Sequence, residues 1–231
     1  MYRNRLELYE KLGQKRDSRV IVYVTGDRRG LETQIHPEVL GFLANHLDAI
    51  GSVHKLSLYL YATGGHTLAA WSIVNLIRQY CHTFEVIVPS KAHSAGTLIC
   101  LGADRIIMTK QATLSPIDPC VNTPLNPGVP GGPPNARLPV SVEAINGYVE
   151  LAKQIGIQDG HDLVTVLSNL TLHVHPLVLG QAFRARSQIR MLGRRLLSRH
   201  MRDESQIEKI LAFLCSESGS HDYTIFQQEA R

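Results

Sequence analysis

Strand-like runs recur along the first half of the chain, at 19–25, 55–61, 84–88 and 105–108, the first of them β-branched and almost continuously apolar, and helical patterns fill the intervals between them. The intervals carry apolar residues at three- and four-residue spacing: Val39, Leu40, Phe42, Leu43, Leu47 and Ile50 within 36–50, then similar stripes over 67–80 and 94–101. Strands that read as continuous apolar runs are those covered on both faces, which is expected of 19–25 in particular. Helices between such strands act as crossovers, so the pattern predicts an α/β fold with a largely parallel sheet and right-handed connections.

Beyond Asp118 the texture changes. Residues 119–140 hold Pro124, Pro127, Pro130, Pro133 and Pro134 with Gly128, Gly131 and Gly132, a composition in which no regular element is expected. The segment is longer than ordinary connections and reads either as a loop over a cleft or as a disordered linker. Helical patterns resume near 141–155, 161–169, 177–201 and 205–216. With 231 residues, 44% of them hydrophobic, one sizeable core is expected, and 1–231 reads as a single domain with 141–231 as its helical extension. Tyr223-Thr-Ile-Phe226 looks like the entry to another element, an expectation that the natural chain continues past Arg231.

Charge and cysteine usage narrow the class. The formal net charge is +4, and much of the basic surplus lies in one segment, 184–202, with Arg184, Arg186, Arg190, Arg194, Arg195, Arg199 and Arg202. Ile189, Leu192, Leu196 and Leu197 fall at helical spacing within it, so it reads as an amphipathic helix with a solvated basic face rather than a nucleic-acid surface. Cys81, Cys100, Cys120 and Cys215 show no C-x-x-C pairing, as expected of free thiols in a reducing cytoplasm. No window reaches the roughly 18 apolar residues of a spanning helix, and the start lacks the apolar run of a signal peptide, so no integral membrane segment is expected. No G-x-x-x-x-G-K-[ST] loop is present, so ATP hydrolysis is not in this chain. No cofactor is expected: His173 and His175 are the best candidate metal ligands, but spacing places no third ligand.

Chemistry concentrates between 58 and 118. Gly64-Gly65 ends the second strand, where glycines leave backbone N–H groups unshielded, and Ser94 opens a helix, where the dipole favours negative charge. Taken alone, Ser94 is a helix-capping serine and the glycines a tight turn. Taken together at one edge of a parallel sheet, they offer a nucleophile and an oxyanion hole made by the Gly65 and Ala95 N–H groups.

Four motifs carry a family resemblance: Tyr61-Ala-Thr-Gly-Gly-His66, Lys91-Ala-His-Ser-Ala-Gly-Thr97, Gly102-Ala-Asp-Arg-Ile-Ile-Met108 and Leu114-Ser-Pro-Ile-Asp-Pro119. They resemble the Clp-fold serine peptidases, most closely the serine dehydrogenase proteinase group. The resemblance implies a ClpP/crotonase-like spiral of β-β-α units with flanking C-terminal helices, Ser94 as nucleophile, an oxyanion hole at Gly64, Gly65 and Ala95, and homo-oligomers built as rings or stacked trimers. It also implies peptide or protein substrates and leaves room for a separate unfoldase.

The general base departs from the family pattern. In the Clp proteolytic subunit a histidine follows the serine by one short strand, but 114–119 here holds none. Signal peptide peptidase A uses a later lysine, and the comparable stretch here is Leu172-His-Val-His-Pro-Leu177. His175 is the expected base, with His173 on the same face if that stretch is extended. His221, followed by Asp222, is a second candidate, and Asp118 is a candidate orienter. His93 adjoins the serine, but neighbouring side chains diverge; Lys153 reads as a solvated charge. The function so read is a serine endopeptidase, the alternatives being an assembly module that no longer cuts and, further off, a crotonase-type acyl-CoA enzyme.

Overall fold

Along the second strand Leu56, Leu58 and Leu60 alternate with Ser57 and Tyr59, and this alternation decides which sheet face meets which helix. The computed structural model describes residues 2–230, which gather into two compact units. The described residues of Met1–Ile117 and Leu192–Arg231 form the first, and Asp118–Met191 the second.

The first unit begins with α1 (Tyr2–Arg16) and β1 (Arg19–Val24), then α2 (Val39–Ile50), β2 (Val53–Tyr61), α3 (Thr67–Ile77) and β3 (Cys81–Val88). Next come β4 (Lys91–Ala92), α4 (Ala95–Leu101), β5 (Arg105–Met108) and β6 (Thr113–Leu114). A four-stranded sheet in the order β1-β2-β3-β5 is parallel throughout. Between β3 and β5 the chain leaves this sheet for β4, turns into α4 and returns; after β5 it leaves again for β6, which pairs with β4 in parallel. One strand in the large sheet, one in the small sheet and a helix make up the β-β-α unit of the expected spiral.

Leu56 and Leu58 lie in register with Phe84 and Val86 and share one face with Leu60, where Leu58 lines a cavity with Leu43 of α2 and Ile73 of α3. The opposite face is more polar. There Tyr59 meets Tyr9 of α1 with ring centroids 6.5 Å apart. Ser57 and Glu85 lie side by side, Glu85 is 1% exposed, and Arg16 reaches it through two nitrogens, the Nε contact being 2.8 Å. Lys55 Nζ stands 3.4 Å from the same carboxylate, and Ser57 Oγ donates to it at 3.1 Å. Burial opposes ionisation of Glu85, but the Arg16 and Ser57 hydrogen bonds and the Lys55 and Arg16 charges outweigh it and hold the carboxyl below its usual range. α1 thus docks through a buried charge, not an apolar stripe. β1 lies at the sheet's edge with Ile21 as its one buried residue, which corrects the expectation that 19–25 is covered on both faces.

The second unit carries β7 (Cys120–Val121), β8 (Val140–Ser141), α5 (Val142–Gln154), α6 (Gly160–Thr171) and most of α7 (Pro176–Leu197). The proline-rich stretch is ordered by pairing: β7 and β8 are antiparallel, and Asn126 Nδ2 donates to the carbonyls of Val121 and Leu138 at 2.7 and 2.8 Å. A short sheet therefore stands where no regular element was expected. Val121, Val140, Val142, Val178 and Ala182 form this unit's core.

The last turns of α7 return to the first unit and are followed by α8 (Glu204–Ala212) and a π-turn over Phe213–Glu217. Arg194 pairs with Glu204 and Glu208, which neutralises part of the basic face within the unit, and Arg199 donates to Asn75 Oδ1 at 2.6 Å. β9 (Ile225–Phe226) then adds antiparallel to β6, which accounts for the strand-like residues near the end. Among the described residues, no single helix is long and apolar enough to cross a membrane.

Because the folded pKa of Glu85 lies below its unfolded value, its contribution is fully present above about pH 4.3 and is lost as pH falls through the folded value. Glu85→Gln is expected to cost about 3 kcal/mol at pH 7, as breaking a buried pair does. Urea unfolding of both proteins should show that difference shrinking as the medium is acidified below pH 4.

Candidate active site

Ser94 adopts φ 50° and ψ −112°, the left-handed side of the map that costs a side-chain-bearing residue about 1–3 kcal/mol. It stands at the sharp turn between β4 and α4, a geometry that lifts a hydroxyl clear of the strand before it. Asp17 is the one other non-glycine residue with positive φ among those described. A cap hydrogen bond from the Ser94 side chain to α4 is absent, so the simple capping role does not describe it.

The strand tips bring the glycines to this serine. Ala62 N–H donates to Lys91 O and Ala62 O accepts from His93 N–H, both at 3.0 Å, which joins the end of β2 to β4. Two residues later a Cβ placed on Gly64 would stand 3.1 Å from Ser94 Cβ and 3.7 Å from its Oγ. Gly64 and Gly65 have φ of 119° and 144°. Ile35 pairs alongside in parallel, donating to Gly64 O and accepting from His66 N–H at 2.8 Å each. In a parallel bridge those two bonds use the residues flanking Gly65, so the Gly65 N–H is turned away from Ile35. The Ala95 N–H belongs to the first turn of α4, where helical amides lack an intrahelical acceptor. Ser94, Gly64, Gly65 and Ala95 are therefore neighbours, as the motifs led one to expect. Among the described residues Ser94 Oγ has no hydrogen-bond partner.

The basic candidates fall in different places. His221 lies in the first unit, exposed, in the turn before β9, and its charge acts on His93. His93 is half-buried with Nε2 2.9 Å from Thr113 Oγ1; burial, then Lys91 and His221, lower its pKa. His173 and His175 lie in the second unit, and they do not alternate along an extended strand. His173 N–H closes a turn onto Leu170 O after α6, and His175 Nδ1 accepts from Leu177 N–H at 3.2 Å where α7 begins. An Nδ1 used as acceptor puts the neutral ring's proton on Nε2. Asp118 is buried at the start of the second unit. Lys153 pairs with Glu150 at 2.7 Å on α5.

Lys91, three residues before the serine, is held elsewhere. Its Nζ is 3.1 Å from Asp27 and lies over the Tyr61 ring, and Tyr61 Oη donates to the same Asp27 oxygen. The Asp27 hydrogen bond raises the Lys91 pKa, which is the wrong direction for a lysine base.

Two residues escaped the sequence reading. Ser115 Oγ accepts the Ser94 N–H at 2.7 Å, and the single hydroxyl proton of buried Thr97 is shared between Ala92 O and Ser115 O, each 2.8 Å from Oγ1. Ser115 lies in 114–119, which holds no histidine, and its hydroxyl is the sequence signal for this contact.

A family model described as ClpP-like SDH-type serine proteinase matches residues 1–129. An uncharacterized protein of Methanocaldococcus jannaschii is 35% identical over 123 residues, which are 50% of this chain and 42% of that protein. A second uncharacterized protein of the same organism is 39% identical over 64 residues, 28% of this chain and 22% of that one. The chain thus spans less than half the length of the curated relatives it matches. Among solved structures, a substituted form of the 1510-N membrane-bound stomatin-specific protease in complex with a substrate peptide is similar at 21% identity, TM-score 0.37, covering 64% of this chain and 62% of that one. An enoyl-CoA hydratase/isomerase family protein from Silicibacter pomeroyi is similar at 16% identity, TM-score 0.33, covering 84% and 91%.

The glycine pair separates two kinds of damage. A Cβ on Gly65 would meet backbone, Ile35 O at 2.3 Å, whereas one on Gly64 meets the Ser94 side chain at 3.1 Å. Gly65→Ala is expected to lower the urea midpoint by more than Gly64→Ala, with about 1–3 kcal/mol of strain common to both.

Proposed function

Since residues 1–129, more than half its length, match that model, the chain belongs to the ClpP-like SDH-type serine proteinase family, and from this premise we propose a serine peptidase acting through Ser94. The observation that carries the proposal is the strained serine backbone beside Gly64, at the turn from β4 into α4. Strain of this kind is kept where a site requires it.

In the proposed reaction Ser94 Oγ attacks the carbonyl carbon of a peptide bond, and its proton passes to His221. The new C–O bond displaces the carbonyl π pair onto oxygen, where the Gly65 and Ala95 N–H groups hold the negative charge. Collapse breaks the C–N bond, and the histidine returns its proton to the leaving amine. Water, deprotonated by the same ring, then attacks the acyl-enzyme and releases the new carboxylate with Ser94 reprotonated.

His221 is preferred over His175 on local chemistry. It shares a unit with Ser94 and lies in the turn before β9, which pairs with β6 beside β4, the strand that leads into Ser94. His175 holds a proton on Nε2 while its Nδ1 caps α7, the reverse of what a base acting through Nε2 requires. Peptides or proteins are the proposed substrates, and assembly of several copies into a ring or stack is part of the same reading.

A fluorophosphonate probe tests it. Wild-type protein, in whatever assembly it forms, is expected to be labelled, and Ser94→Ala to abolish labelling. His221→Ala is expected to slow labelling by about 10² to 10⁴, the usual worth of a general base, while His175→Ala stays near the wild-type rate. Unlabelled wild type would instead favour an assembly module that has kept the fold. Loss on His175→Ala with retention on His221→Ala would move the base to His175.

A further inference from the structure

We propose that Ser115, held in place by Thr97, is a positioning residue that sets the backbone of Ser94 for attack; this rests on the reading of Ser94 as nucleophile. Accounting for the polar backbone groups around the turn shows where the constraint comes from. His93 N–H goes to Ala62 O at 3.0 Å, Gly96 N–H to His93 O at 2.7 Å, and Leu98 N–H to Ser94 O at 3.0 Å. The Ser94 N–H goes to a side chain instead, Ser115 Oγ at 2.7 Å.

Ser115 is prepared for that contact. Its hydroxyl proton is directed at Pro116 O at 3.0 Å, which leaves a lone pair to face the Ser94 amide. Its backbone is clamped on both sides by one hydroxyl: Ser115 N–H donates to Thr97 Oγ1 at 3.1 Å, and Thr97 Oγ1 lies 2.8 Å from Ser115 O. Thr97 Oγ1 is also 2.8 Å from Ala92 O, the last residue of β4. Thr97 is 0% and Ser115 3% exposed, so solvent does not compete for these bonds.

Rotation about φ turns the Ser94 N–H relative to its own Cβ and carbonyl. The Leu98 N–H holds the carbonyl side at 3.0 Å, so anchoring the N–H on Ser115 at 2.7 Å pins φ between two fixed ends and keeps Ser94 Cβ facing Gly64. Without the Ser115 hydroxyl the turn is free to relax toward negative φ, carrying Oγ away from the Gly65 and Ala95 amides. A misplacement of about 1 Å in such a group costs on the order of 10²-fold in rate.

The test measures saturable inactivation by a fluorophosphonate in the full chain. Ser115→Ala is expected to lower the maximal inactivation rate by about 10- to 100-fold, with the half-saturating probe concentration moved by less than about twofold. Thr97→Val is expected to lower the maximal rate in the same way, and Thr97→Ser, which keeps the hydroxyl, to restore it. Hydrogen exchange at the Ser94 amide, expected to quicken at least about tenfold in Ser115→Ala, judges the contact without any chemistry. A wild-type maximal rate or unchanged exchange in Ser115→Ala overturns the proposal. So does a parallel fall of rate, probe affinity and urea midpoint that Thr97→Ser shares, because that is a merely structural role. Wild-type protein that resists the probe fails the nucleophile reading itself, a result distinct from labelled wild type with an indifferent Ser115→Ala.

Discussion

Two hydrogen bonds at Ala62 hold the site together. They tie the tip of β2 to Lys91 and His93, and so bring a strand of the large sheet against the strand that carries the serine. Gly96 shows how tight the join is: a Cβ there would stand 3.4 Å from both Ala62 Cβ and Ala92 Cβ. Larger residues at 62, 92 or 96 would push α4 off the β2 tip. The small side chains of this corner let two backbones approach closely enough for Gly64 and Ser94 to lie side by side.

The polarity of the large sheet follows the same economy. Its leucine-rich face receives the crossover helices and needs no direction. The other face carries Glu85, and the arginine at the end of α1 meets it in a forked arrangement. Such a contact supplies orientation, because a fork matches a carboxylate in few poses. α1 is placed by geometry where its mainly polar composition could not place it by burial.

Much of this was legible from residue pattern. The strands of the large sheet, the helices between them and the meeting of Gly64-Gly65 with Ser94 follow from period and from glycine chemistry, both of which are local. What could not be read depends on contacts distant in sequence. Glu85 looks like an interruption in an apolar run until Arg16, 69 residues earlier, is seen beside it. Ser115 gains meaning from an amide 21 residues away. The proline-rich stretch resists helix and strand propensity residue by residue, yet Asn126 satisfies carbonyls on both of its arms and lets two short strands pair. His173 and His175 mislead because alternation looks the same whether the backbone is extended or passes from one helix end to the next helix start.

β1 closes the large sheet on one side with Val24 more than half exposed and no further strand beside it among the described residues. Its outer row of amides and carbonyls is a template for another strand.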